Sequence, residues 1–370
     1  MAENKKVKSL SGTPREHSYR MPAEWESHAA TWIAWPRNAS DWPNKFQPIP
    51  WVYAEIVRQL TRVERVEIMV QDEAASQRTT GILKRAGVNL NNVRLHQWPT
   101  NRVWTRDSGP IFVKKTSGKQ TGAASELAIT NWKFNAWAKY EDWQDDNQIP
   151  ERVAGLLDLP CWSPVVETAN GPHTLVLEGG SIDTNGAGVL LTTEECLLSE
   201  VQQRNPGVSR EQLERAFHNY LGIDQVIWLN RGTAGDDTHG HVDDITRFVR
   251  ENTILTAIEE SREDENYLPL SENLERLHAA RNRDGKPFEI VTLPMPAPVV
   301  FEGQRLPASY ANFYIANGLV LVPTFNDPND RIALNILAEL FPERSVVGIH
   351  CVDFIWGLGA LHCMTQQQPE

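Results

Sequence analysis

The residue best suited to covalent chemistry is Cys363, which lies seven positions from the C-terminal end of a 370-residue chain. It follows a glycine-bearing run at 357–361 and precedes three glutamines at 366–368, a setting unusual for a core cysteine. A thiolate is a strong nucleophile when a basic partner or a positive environment lowers the thiol pKa. Cys363 is therefore either a nucleophile facing a central cleft or a buried, inert thiol. The inert interpretation is our prediction for the other cysteines, Cys161, Cys196 and Cys351.

A second group of reactive side chains lies in residues 236–244, which contain two histidines and four aspartates. On an extended strand, His239, His241 and Asp243 would lie on one face because side chains alternate. Two histidines and a carboxylate could hold a metal ion. Alternatively, His241 is a general acid and base while Asp243 binds a cationic substrate. A polar turn without chemistry is the third interpretation of this segment.

Two further carboxylates lie beside glycines. Asp107 is followed by Gly109-Pro110, which fixes the backbone around the acid, although a surface turn with an Asp–Arg pair would have the same pattern. Glu178 ends the apolar run 175–177 and precedes two glycines. A carboxylate at the end of a buried strand is costly unless it is paired. Glu178 could orient a histidine, as the third member of a catalytic triad does.

A cysteine, a histidine and several carboxylates together suit the hydrolysis of a guanidinium group. That group is a planar cation with five N–H donors, and carboxylates can grip it bidentately. A thiolate can then attack the central carbon, and a histidine can protonate the departing ammonia before it activates water. This chemistry needs neither a metal nor an organic cofactor, so we predict none.

Glycine- or aspartate-rich motifs punctuate the chain at near-regular intervals. Measured between one marker residue in each motif, the gaps are 71, 63, 68 and 54 residues. Such spacing suggests repeated strand–helix units around an axis, which would gather the motifs at the centre. No segment rich in proline, glycine or serine divides the chain, so we predict one α/β domain over residues 21–370 after a flexible arm at 1–20. The markers are Asp107, Glu178, His241, Ser309 and Cys363.

Hydrophobic periodicity and turn residues predict the elements between these motifs. Hairpins are expected to turn at Asn185-Gly186 and Asn317-Gly318. The predicted strands lie at 66–70, 225–229 and 345–349. The predicted helices lie at 51–63, 73–86, 209–221, 271–280 and 331–341, the third with a capping box at Ser209 and Gln212.

Six short motifs, in order along residues 21–369, resemble those of the agmatine deiminases in the guanidine-modifying superfamily. The bacterial-type peptidylarginine deiminases are close relatives within the same group. The chain departs from the family pattern at one place. Some relatives have Gly-Gly-Asn-Ile-His-Cys there, whereas this chain has Leu358-Gly359-Ala360-Leu361-His362-Cys363 and lacks the asparagine. The motifs lie at 104–110, 131–137, 177–181, 236–243, 308–314 and 362–369.

The resemblance implies a five-bladed, pseudo-symmetric α/β-propeller with a central active site. It also implies Cys363 as the nucleophile, His241 as the acid and base, and Glu178 as the residue that holds His241. Asp107 and Asp243 become the guanidinium clamps, and a metal site at His239 and His241 becomes a minor alternative. The resemblance also implies residues at the rest of the substrate. Trp104 packs on the substrate. Asp237, or its neighbour Asp236, either receives the distal amine or is purely structural.

The expected reaction converts agmatine and water to N-carbamoylputrescine and ammonia through an amidino-cysteine intermediate, in polyamine biosynthesis or agmatine catabolism. The alternatives are deimination of peptidyl-arginine, a non-catalytic binding protein on the same propeller, and a metallohydrolase. The net charge of −12 argues against a nucleic-acid partner. No apolar run reaches the roughly 18 residues of a membrane span, and the polar N-terminus and free thiols predict a cytoplasmic protein. A homodimer is expected from the resemblance alone.

Overall fold

The computed structural model describes residues 10–116, 126–169 and 171–370. The predicted arm at 1–20 lies partly outside them, since residues 1–9 are not described. The helices are α1 Ile49–Leu60, α2 Glu73–Arg85, α3 Thr105–Ser108, α4 Ile149–Leu157, α5 Glu194–Leu198, α6 Arg210–Leu221, α7 Tyr267–Ala279 and α8 Pro328–Leu340. The strands are β1 Tyr19–Arg20, β2 His28–Ala34, β3 Arg65–Val70, β4 Val93–Gln97, β5 Ile111–Lys115, β6 Leu127–Thr130, β7 Cys161–Trp162, β8 Val165–Thr168, β9 Gly171–Thr174, β10 Asp183–Thr184, β11 Val189–Thr193, β12 Gln225–Leu229, β13 Thr246–Arg250, β14 Thr253–Ile258, β15 Glu289–Pro294, β16 Val300–Phe301, β17 Gln304–Arg305, β18 Tyr314–Ala316, β19 Leu319–Thr324, β20 Ser345–His350 and β21 Gln366–Pro369.

Within the described residues, five sheets of three or four strands repeat one pattern. Two strands pair antiparallel, and a third strand, reached through one or two helices, pairs parallel with the second. This pattern holds for β10-β11-β12, β13-β14-β15 and β18-β19-β20, and also for β5-β6-β7, which β1 extends at its edge. The predicted α/β class and internal repeat are therefore confirmed.

The fifth sheet joins the two ends of the chain. Strand β21 pairs antiparallel with β2, and β2 pairs parallel with β3, which pairs parallel with β4. The indole of Trp32 donates a hydrogen bond to Gln368 across this junction at 3.0 Å. The last strand therefore completes the sheet that the first long strand begins.

Each chemical motif lies two to five residues before the first strand of a sheet. Asp107 precedes β5, Glu178 precedes β10, and Asp243 precedes β13. Asn312 and Cys363 hold the same place before β18 and β21. Equivalent places in a repeated unit lie at equivalent distances from the axis, so the repeat brings the five motifs to one centre.

The elements form for the reasons that the sequence gives, although α1, α7 and α8 each begin two to four residues before the predicted start. In α6, Ser209 and Gln212 make the predicted capping box, and Gly222 ends the helix at φ 72°. Helix α7 begins at Tyr267, before the predicted start at Ser271. Pro269 is tolerated there because the first turn of a helix leaves its N–H groups unpaired in any case.

The predicted flexible arm differs from the structure over residues 14–20. Tyr19 and Arg20 pair with Lys115 and Lys114, and Tyr19 is buried with its ring 5.6 Å from that of Trp162. Because the arm contributes an edge strand and a buried aromatic ring, these residues belong to the packed domain. In the part of the chain that the structure covers, no helix is both long enough and apolar enough to cross a bilayer.

Candidate active site

A cavity of about 230 Å³ opens at the meeting point of the motifs. Cys363 and Asp107 line it together with the aromatic rings of Trp104 and Trp137. The rest of its lining consists of Ser40, Asp41, Arg102, Tyr140, Asp237, Thr238, Gly357, Leu358 and Gly359. The cavity therefore combines a thiol, aromatic walls and several carboxylates.

The Cys363 thiol is buried and held by an amide. Asn312 donates a hydrogen bond from Nδ2 to Sγ at 3.0 Å, and its Oδ1 accepts one from the backbone N–H of His362 at 2.9 Å. The thiol in turn donates a hydrogen bond to Asp243 Oδ2 at 3.8 Å. Burial raises the pKa of the Cys363 thiol well above its usual range, and the charges of Asp243, Asp244 and Asp107 raise it further.

His241 lies fully buried among three carboxylates. Its Nε2 is 3.6 Å from Glu178, and its Nδ1 is 3.7 Å from Asp107 and 4.0 Å from Asp243. These distances exceed a hydrogen bond, and neither ring nitrogen has a hydrogen-bond partner among the described residues. Burial by itself lowers the pKa of His241, but the negative neighbours, Asp107 first, outweigh it and raise that pKa well above its ordinary value. The neighbouring carboxylates therefore favour the charged imidazole.

Glu178 is held as a carboxylate by a buried guanidinium. Arg204 donates from Nε to Glu178 at 3.1 Å, and both side chains are 0% exposed. Burial raises the pKa of Glu178, yet the charges of Arg204 and His241 overcome it and hold that pKa at about 2. One Glu178 oxygen is thereby fixed by Arg204, while the other faces His241.

Asp107 is oriented from two sides. Trp137 donates from its indole N–H to Oδ2 at 2.9 Å, and the Gly180 N–H donates to Oδ1 at 3.0 Å. Burial raises the pKa of Asp107 to about 6, with the charges of Asp243 and Glu178 adding to the effect. An acid with this pKa binds a cation strongly at pH 7 and loses that ability in mild acid.

Asp243 is anchored by a chain of buried charges. Its Oδ2 bonds to His362 Nδ1 at 2.6 Å, and His362 Nε2 bonds to Glu24 at 2.7 Å. Glu24 in turn pairs with Arg106 at 3.3 Å and Arg247 at 2.9 Å. Burial raises the pKa of Asp243, but the hydrogen bond and charge of His362 together with the charges of His241 and Arg247 outweigh it, so the net shift is downward. Its Oδ1 has no hydrogen-bond partner among the described residues and faces His241.

The segment around His241 is a loop and not the extended strand that would place His239, His241 and Asp243 on one face. His239 has φ 63° and Gly240 has φ 96°, and a short 3-10 helix follows at Val242–Asp244. His239 bonds to Ser199 at 3.2 Å. Among the described residues, the groups with metal-ligand spacing are Glu178, Cys196 and His241, and Asp243, Asp244 and Cys363. His239 is in neither group, so the two-histidine site is not formed.

The two other acids considered for the distal amine have different surroundings. Asp236 accepts hydrogen bonds from the backbone N–H groups of Thr238, Gly240 and His241, so it shapes the loop. Asp237 lines the cavity but pairs with the ammonium of Lys139.

Thus the structure brings Cys363, His241 and the three carboxylates Glu178, Asp107 and Asp243 close together, and Trp104 and Asp237 line the cavity beside them. Sequence reasoning missed several buried partners of these residues. Three of the missed residues lie in the motifs that carry the family resemblance, so a signal existed: Trp137 in 131–137, Asn312 in 308–314 and His362 in 362–369. The missed partners are Glu24, Trp137, Arg204, Asn312 and His362.

A family model described as Porphyromonas-type peptidyl-arginine deiminase matches residues 20–369. This chain belongs to that family. An agmatine deiminase of Pseudomonas aeruginosa is 35% identical over 96% of this chain and 97% of its own length. One of Medicago truncatula is also 35% identical, over 97% of this chain and 99% of its own.

Solved structures agree with the sequence relatives. An agmatine deiminase of Enterococcus faecalis superposes with a TM-score of 0.87 at 28% identity, covering 98% of this chain and all of its own. A C. jejuni agmatine deiminase with substrate bound superposes with a TM-score of 0.80 at 30% identity, covering 95% and 96%. The family members thus share the fold over nearly their whole length.

Proposed function

We propose that this protein hydrolyses agmatine to N-carbamoylputrescine and ammonia through a covalent amidino-cysteine intermediate. The observation that carries the proposal is the placement of Cys363 and His241 among Asp107, Asp243 and Glu178 beside one small cavity. Relatives over nearly the full chain are agmatine deiminases, which supports agmatine as the substrate.

The charge of the site favours a guanidinium. Asp107 lines the cavity, and the unpartnered Oδ1 of Asp243 lies behind it. Their carboxylates can accept the N–H donors on the two edges of a guanidinium and so fix its plane. Trp104 offers an aromatic face for the substrate cation or its alkyl chain.

Substrate charge also accounts for activation of the nucleophile. The same carboxylates that raise the pKa of Cys363 would be neutralised by an entering guanidinium, which favours loss of the thiol proton. The Asn312 amide donates to the sulfur at 3.0 Å and would stabilise the thiolate that forms. The enzyme then keeps an unreactive thiol until a cation is bound.

The steps follow from the protonation states. The thiol proton passes to solvent when the cation binds, and the thiolate attacks the guanidinium carbon; the charged His241 then gives its proton to the departing nitrogen, and ammonia leaves. The neutral His241 next accepts a proton from water, whose oxygen attacks the amidino carbon. As the C–S bond breaks, the remaining hydroxyl proton of the adduct passes to the departing sulfur and restores the Cys363 thiol. Glu178 favours the charged imidazole and fixes its position.

The chemistry at the guanidinium would be the same for peptidyl-arginine, which the family description names. A non-catalytic protein would not require the pairing of Cys363 with His241. We also propose a cytoplasmic enzyme in polyamine biosynthesis, built as one catalytic domain that comprises the predicted 21–370 and the packed residues 14–20. Dimerisation stays a prediction.

The test is ammonia release from agmatine, free arginine and an arginine-containing peptide, measured side by side with EDTA present. We expect turnover of agmatine, lost in Cys363→Ala and retained in Cys161→Ala, which removes a half-buried thiol outside the cavity lining. Faster ammonia release from the peptide than from agmatine would indicate that the protein is a peptidyl-arginine deiminase. Absence of ammonia release from all three substrates, or full activity of Cys363→Ala, would refute the proposal.

A further inference from the structure

Beyond Asp107, two carboxylates line the cavity: Asp41 and Asp237. They are the candidates for receiving the distal end of a substrate whose guanidinium lies at Cys363. Asp237 is already neutralised, since it pairs with the ammonium of Lys139 and accepts a hydrogen bond from the Tyr140 hydroxyl at 2.8 Å. A second cation would gain little binding free energy from Asp237.

Asp41 differs because only one of its two carboxylate oxygens accepts a hydrogen bond. Its Oδ1 accepts a hydrogen bond from Arg102 Nη1 at 2.8 Å, and its side chain is 2% exposed. Its Oδ2 is buried and has no hydrogen-bond partner among the described residues. A buried carboxylate oxygen without a donor is costly, and a bound ammonium group would supply the missing donor.

The local charge balance points the same way. Arg102 is shared, since its Nη2 also donates to Asp142 at 2.9 Å, so one cation serves two carboxylates. The cluster of Asp41, Asp142 and Arg102 carries one net negative charge when ionised, whereas Asp237 with Lys139 carries none. Burial raises the pKa of Asp41 to about 6, against the pull of Arg102, and the charge of Asp142 adds to the rise. At pH 7 the Asp41 carboxylate is still largely ionised.

Asp41 is held rigidly beside the aromatic wall of the cavity. It ends the short 3-10 helix Ala39–Asp41, and the next residue is the fully buried Trp42. The Trp42 indole donates to the Phe354 carbonyl at 2.7 Å, and its ring lies 5.8 Å from that of Trp104. An acceptor fixed in this way can select ligands by their charge.

Resting on the proposed deimination of agmatine, we propose that Asp41 is the specificity residue that binds the distal primary ammonium of the substrate through Oδ2. The same carboxylate repels the α-carboxylate of free arginine. Arg102 also lines the cavity and its Nε has no hydrogen-bond partner among the described residues, but its charge is offset by Asp41 and Asp142, which bond to Nη1 and Nη2. The enzyme thus selects an amine-terminated guanidine over a carboxylate-terminated one.

The experiment compares agmatine with butylguanidine, which has the same guanidinium and alkyl chain but no amine. We expect the wild-type kcat/KM to favour agmatine by about 30-fold or more, as for a desolvated charge pair. That ratio should fall to near one in Asp41→Asn. Asp142→Asn is the matched control, since it removes the charge of the other carboxylate that Arg102 contacts. The Asp142 side chain is 47% exposed and does not line the cavity. Because solvent screens much of the exposed Asp142 charge and the Asp41 carboxylate remains, this variant should lower the ratio by no more than about threefold.

The outcomes separate this inference from the proposed function. Equal use of the two guanidines by the wild-type enzyme would overturn the role of Asp41 while leaving deimination intact. An unchanged ratio in Asp41→Asn would overturn it as well, as would an equal fall in Asp142→Asn. Absence of turnover with either compound would instead refute the proposed function. The wild-type comparison keeps the inference falsifiable even if the Asp41 variant does not fold.

Discussion

Gly180 separates three groups of the site, and one added methyl group would touch all of them. A Cβ at this position would lie 2.6 Å from His241 Nδ1, 2.8 Å from Asp107 Oδ1 and 3.0 Å from Asp243 Oδ2. Ordinary contacts begin at 3.4 Å, so these atoms must move apart by up to about 0.8 Å. Because misplacement by about 1 Å can cost 100-fold in rate, we predict a fall in kcat of about that size for Gly180→Ala.

The assay is steady-state ammonia release together with thermal unfolding of each variant. Gly180 does not have a positive φ, so the substitution adds no backbone strain and acts through the contacts alone. Gly81→Ala in α2 is the control, because its Cβ would meet nothing closer than Arg85 Nη1 at 3.8 Å. It should keep full activity and gain about 0.5–1 kcal/mol in free energy of unfolding. A folded Gly180→Ala enzyme with kcat within about threefold of wild type would refute this account of the site.

Four further outcomes follow from the contacts. In a pH–rate profile with butylguanidine, which lacks the amine that Asp41 would bind, kcat/KM should fall as the pH drops through about 6, because protonation removes the negative charge of Asp107, and this step should be absent in Asp107→Asn. Trp137→Phe removes an N–H donor to that carboxylate, so the same step should move to higher pH; an unmoved step would contradict the assignment. Glu178→Gln should cost about 3 kcal/mol in urea denaturation, because it leaves the buried guanidinium partner without a carboxylate, and an unchanged midpoint would refute this. Asn312→Ala should slow alkylation of Cys363 by the cation chloroacetamidine by about tenfold, a loss that Asn312→Asp should not restore.

The sequence was most informative where a reactive side chain lies close to glycine residues. Asp107, Glu178 and Cys363 each lie beside glycines, and the repeat in the chain predicted that they would meet. The structure brings them to the same cavity and its buried wall. Residue type, local glycine content and spacing were sufficient for this part of the site.

Partners that depend on packing could not be predicted in this way. Glu24 bonds to His362 across 338 residues of chain, and Asn312 bonds to Cys363 across 51. Nothing local to Glu24 indicates such a contact, because it arises from closure of the fifth sheet. The alternation rule failed at His239 for a related reason, since its left-handed backbone breaks the strand geometry that the rule assumes.

The pairing of β21 with β2 has a consequence for biosynthesis. Strand β2 emerges early from the ribosome, yet its partner Gln368 lies 336 residues after Trp32. Until then β2 presents an open edge, which is prone to wrong pairing and a natural target for chaperones. Cys363 also emerges after the strands of the four other sheets. Its thiol therefore joins the carboxylates only after those sheets have been synthesised, so a chain that stops before residue 363 cannot carry out the proposed reaction.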